Sequence, residues 1–141
     1  MGIVGLLAVA VVVAVALIYT YSVVLEGQGN IVTETPGLRI FGDEALTKEI
    51  SGIQWGNITA GGQSTVTLWI KNNGTVPFHL TIDVSNWNPS AAPLFLAVSW
   101  SDSGLILQPN EARAVDLILA VDPAVTGIGA FSNRITINGK S

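Results

Sequence analysis

The chain has 141 residues, 49% of them hydrophobic and 11% charged, a net charge of −4 and no cysteine. The missing cysteine excludes disulfides, thiolate catalysis and cysteine-based metal sites. The six bases form no basic patch, so nucleic acid is not an expected partner.

In chain order, the first 25 residues come first. Met1–Leu25 carries no charged side chain, and the first acid is Glu26. An uncharged apolar run of this length reads as a transmembrane-length helix. At about 1.5 Å per residue, Ile3–Leu25 reaches roughly 35 Å, enough to cross a hydrocarbon core of about 30 Å. Gly5, Ala8, Ala10, Ala14 and Ala16 are small and permit close approach of helices. Tyr19 and Tyr21 suit a membrane interface. No base precedes Ile3, which is a poor match to a cleaved secretory signal. The expected orientation is N-terminus inside and domain outside.

Glu26–Pro36 reads as a tether, because Gly27 and Gly29 break a helix and Pro36 blocks its resumption. Ile31-Val32-Thr33 is the one part of it suited to pairing as a short strand, with the open edge of a neighbouring subunit as its partner. From residue 37 to 141 the pattern has period two, and this stretch is expected to form one domain. Leu38–Phe41 and Lys48–Trp55 are the first two expected strands, followed by a loop over Gly56–Gly62. In Ser64–Lys71, Val66, Leu68 and Ile70 share one face and Thr65, Thr67 and Trp69 the other. Phe78–Ser85 alternates in the same way. The intervening Asn72-Asn73-Gly74-Thr75 predicts that the two strands form a hairpin.

Asn86–Pro93 is expected as an irregular crossing. Leu94–Trp100, Leu105–Leu107, Arg113–Val121 and Phe131–Ile137 complete the strands. Asn133 falls among the inward residues Phe131, Ile135 and Ile137, an exception the pattern does not explain. The expected fold is therefore an N-terminal hydrophobic α-helix followed by an all-β, immunoglobulin-like antiparallel β-sandwich of seven or eight strands.

No catalytic, cofactor-binding or metal-ligating set emerges. His79 is alone on an outward strand face. Ser64, Ser85 and Ser99 lie in strands without a nucleophile elbow. Asp43-Glu44 reads as a solvated turn. Asp83, Asp102, Asp116 and Asp122 do not follow a calcium-loop spacing. Trp55, Trp87 and Trp100 are expected in the core. Trp69 is expected to be exposed, as a contact for a partner, another subunit or a glycan. Asn57-Ile-Thr59 and Asn73-Gly-Thr75 are N-glycosylation sequons in expected loops, so Asn57 and Asn73 are candidate acceptors.

With its apolar start and β-rich remainder, the chain resembles archaeal surface-filament subunits, the type IV pilins and archaellins. The segments Ile53–Gly62, Val66–Pro77, Ser85–Pro89 and Thr126–Ile128 are also similar to small archaeal membrane-anchored proteins. A pilin precursor differs in carrying a basic leader before its apolar helix. The resemblance implies a non-enzymatic structural subunit of a pilus-like cell-surface filament. Its helices would pack together in the core, with glycosylated sandwiches outside. Its partners would be copies of itself and, before assembly, the membrane. The alternative is a membrane-anchored extracellular module that binds a protein or glycan.

Overall fold

The computed structural model describes residues 23–101 and 106–141. Nine strands occupy most of that length. They are β1 (Val24–Val32), β2 (Leu38–Phe41), β3 (Gly52–Thr59), β4 (Gln63–Asn72), β5 (Phe78–Asn88), β6 (Leu96–Trp100), β7 (Ile106–Leu107), β8 (Ala112–Val121) and β9 (Ala130–Lys140). They form a five-stranded sheet, ordered β3-β1-β9-β5-β7, and a four-stranded sheet, ordered β2-β4-β8-β6. Every pairing is antiparallel except β1 with β9, which is parallel.

The alternation that defines the strands also builds the core. On β8, Val115, Leu117, Leu119 and Val121 are all buried. Leu68 and Ile70 of β4 join them from the same sheet, and Leu80, Phe131, Ile135 and Ile137 come from the other. A fully buried side chain of this size contributes about 1.5–3 kcal/mol on leaving water. A core drawn from both inner faces is how a two-layer β-sandwich holds together.

Three expectations are corrected. The first concerns the N-terminal helix of the expected fold class. Met1–Ser22 lies outside the described residues, but Val24 and Leu25 do not, and both belong to strand β1. The helical content of the described residues is a three-residue 3₁₀ turn, Ala92–Leu94. None of their helices is long and apolar enough to cross a membrane. The described fold is all-β with nine strands and one parallel pairing.

The second correction is the tether. Glu26–Val32 is not a linker but most of β1, inside the five-stranded sheet. The pairing suggested for Ile31 and Val32 is instead made within the chain, opposite Ile135 and Thr136. The inward positions of β1 are Leu25, Gly27, Gly29 and Ile31. Its two central ones carry no side chain, so the hydrophobic alternation is invisible in the sequence.

The third is the hairpin. β4 and β5 do not pair; they belong to different sheets. The turn Asn72–Pro77 carries the chain across the sandwich. Its pivot is the buried Asn72, whose Nδ2 donates to the carbonyls of Val76 (2.8 Å) and Leu107 (3.0 Å). Its Oδ1 accepts from Gly74 N–H at 2.8 Å.

Strand ends also shift. The second expected strand starts at Gly52 and runs on to Thr59, into the expected loop. β5 extends to Asn88, into the expected irregular crossing.

Candidate interaction surfaces

The two outer faces of the sandwich differ in chemistry. On the five-stranded sheet, the outward residues of β1, β9 and β5 are mostly Gln, Asn, Ser and Thr. Gln28 stands beside Ser132, Asn30 beside Arg134, and Asp83 opposite Thr136. A depression of about 260 Å³ opens there, lined by Gln28, Asn30, Asn86, Ser132 and Arg134 among others.

On the four-stranded sheet the outward residues are smaller and more apolar. Trp69 stands between Phe41 of β2 and Ala114 of β8. Ala97 faces Ala120, and Ser99 faces Ile118. Thr67 Oγ1 donates to Asp116 Oδ1 at 2.6 Å across the same face. Beyond its edge, Leu94 is 76% exposed. A depression of about 330 Å³ adjoins it, lined by Pro93, Phe95, Ala97, Ala120 and Pro123 among others.

Trp69 is half-buried rather than fully exposed, because β2 and β8 flank it. Trp55 is buried in the core, and Trp87 and Trp100 pack against it partly exposed. Trp87 lies 6.2 Å from the Phe131 ring, tilted at 37°.

The candidate acceptor Asn57 is exposed, but it sits on edge strand β3 rather than in a loop. Asn73 is exposed in the turn between the sheets. Both acceptor side chains are therefore accessible, as are Thr59 and Thr75 at the third positions of the sequons.

The remaining titratable and nucleophilic residues are not brought together. Among the described residues no three of His, Asp and Glu cluster as a metal-binding group. His79 and Asp83 are exposed on β5. Asp102 lies outside the described residues. Ser64 Oγ donates to the Trp55 carbonyl at 2.6 Å, so it ties β4 to β3. Asp122 Oδ1 accepts from Ala124 N–H at 2.8 Å.

Asp43 organises the turn after β2. Its carboxylate accepts from the Thr47 hydroxyl and from the backbone N–H groups of Thr47 and Lys48. These bonds, the Thr47 hydroxyl foremost, hold its pKa below the ordinary value of 3.8. Glu111 is lowered too, first by the Gln108 N–H and then by Arg113.

Two asparagines matter that the pattern did not single out for function. Asn72 is the pivot described above. Asn133 is buried and accepts from Trp55 Nε1 at 3.4 Å, while its Nδ2 has no partner. Its place among inward apolar residues was visible; the signal that explains it is the glycine opposite, Gly29, which leaves room for the amide.

No protein-family model matches this chain, and no curated protein matches it in sequence.

Proposed function

We propose that this protein is a structural subunit of a pilus-like cell-surface filament of the archaeal kind. Uncharged N-terminal segments gather inside such a filament, and sandwiches face outward. The observation that carries the reading is continuity. The last two residues of the apolar stretch, Val24 and Leu25, already belong to a strand at the interior of a sheet. Whatever holds that stretch therefore holds the sandwich core directly. A subunit that must transmit load from its buried segment to its outer domain needs this arrangement. The sequons at Asn57 and Asn73 fit an outer, glycan-bearing shell.

Electron microscopy of the purified native protein tests the reading, with fibres expected. Val12→Asp places a charge in the apolar stretch and should abolish them. Normal fibres from that variant would rule the reading out.

The second reading is a membrane-anchored module that binds a protein or glycan as a monomer. The apolar outer face around Trp69 and Ile118 favours it. Shear release as fibres supports the filament, and release only by detergent supports the anchored module.

A further inference from the structure

The position of β1 points to how copies are joined. β1 is the first described strand, yet it lies between β3 and β9. Among the described strands it is the only sheet neighbour of β3. If β1 leaves, β3 loses its ladder, β9 gains an open edge, and the core loses Leu25 and Ile31. The groove must therefore stay filled. The rest of the chain does not have to unthread for β1 to move, because β1 lies N-terminal to every other described strand.

The groove is also keyed. A Cβ on Gly27 would lie 2.2 Å from the Phe131 ring. One on Gly29 would lie 2.8 Å from Asn133 Oδ1 and 2.9 Å from Ile53 Cγ1. Two glycines alternate between two aliphatic plugs, Leu25 and Ile31, and a slip in register would drive side chains into Phe131 and Asn133. The occupant that fits by identity is the same segment of a second copy. The apolar stretch immediately upstream would bring copies together.

We propose that β1 is an exchangeable strand, which in the assembled protein fills the groove between β3 and β9 of a second copy of this chain. The hinge is Thr33–Gly37. It is fastened at Thr35, whose Oγ1 accepts from Gly139 N–H at 2.9 Å, and at Glu34, whose N–H donates to Asn138 Oδ1 at 3.0 Å. Five extended residues reach about 17 Å, enough to lead the strand into an adjacent copy. The chain enters the sheet beside Ala60 and Gly129 and leaves it beside Asn138 and Gly139, at the opposite end. Passed from each copy to the next, rather than traded between two copies, the strand builds an open head-to-tail series. The inference deepens the filament reading and takes its biological meaning from it.

The test uses the absence of native cysteine. Gln28→Cys with Ser132→Cys places two thiols on registered neighbours of β1 and β9. After assembly of the full chain and oxidation, exchange gives a non-reducing ladder in multiples of 14.7 kDa that reductant collapses. Gln28→Cys with Gln54→Cys reads the other edge of the groove in the same way. Asp83→Cys with Thr136→Cys is the control, linking β5 and β9 within one copy in either case. Fibres that yield only monomer bands from both test pairs would overturn exchange and leave the filament reading standing. A ladder from material without fibres would keep exchange and remove the filament. Internally linked monomers without fibres would remove both.

Discussion

Asn72 shows what a single residue does in this fold. It is fully buried, and its side chain makes three hydrogen bonds, two to carbonyls and one from an N–H. Those bonds join the end of β4, the crossing turn and β7. Asn72→Ala removes the partner of one buried and two partly buried backbone groups. Each unmatched group costs about 1–3 kcal/mol, offset where water enters. We expect a loss of about 2–4 kcal/mol in chemical denaturation. A change below about 0.5 kcal/mol would mean that the turn holds without it. The sequence Asn72-Asn73-Gly74 does announce a turn, and a turn is present. It could not announce which strands the turn joins, because an asparagine that pivots between sheets reads the same as one in a hairpin. Trp69 is a similar case. Its outward face was legible from alternation, but its half-burial depends on Phe41 and Ala114, which come from strands about 28 and 45 positions away.

At the scale of elements, legibility followed the side chains. Arg113–Val121 was readable because four aliphatic residues mark its inner face, and the observed β8 differs by one residue. β1 was unreadable for the converse reason. Leu25 and Ile31 are six residues apart, and the two inward positions between them are glycines. Glycine is depleted in strands and marks close backbone approach when it occurs there. Here the approaching groups are Phe131 and Asn133, contributed by the far end of the chain. Gly27→Ala should cost about 1–3 kcal/mol through overpacking against Phe131. Gln28→Ala, one position along and outward, should change stability by less than about 0.5 kcal/mol. Thermal melts of the two variants decide it. Equal melting temperatures would show that β1 does not depend on this close approach.

For the whole molecule, the sparse charge makes a prediction about solution conditions. The described residues hold two ion pairs, Arg39–Glu49 at 3.0 Å and Glu111–Arg113 at 2.8 Å. Both are solvent-exposed, and exposed pairs contribute about 0–1 kcal/mol each. The core and the β-ladders must therefore carry the fold, and screening by salt should matter little. Acid should act at two identifiable places. Asp43 and Glu111 have lowered pKa values in the folded state. A carboxyl lowered in this way stabilises the fold above its unfolded pKa, and that gain disappears as pH falls through the folded one. The contribution of Asp43 is thus intact above pH 3.8, its ordinary value, and fades below it. We expect a melting temperature that is level from about pH 5 to 8 and falls only under more acidic conditions. Asp43→Asn should flatten part of that acid limb while leaving the neutral plateau nearly level. Raising salt tenfold at neutral pH should move the plateau by less than about 5 °C, since 1 kcal/mol corresponds to roughly 4–8 °C in a domain this small. A larger fall with salt would place the stability of this sandwich in its charges instead of its core. The same measurement on assembled and dispersed material then separates the fold from its packing. If copies are held by buried strands and apolar segments, assembly should resist salt as well as the fold does. Assembly that dissolves in salt while the fold persists would put the contact between copies on charged surface residues.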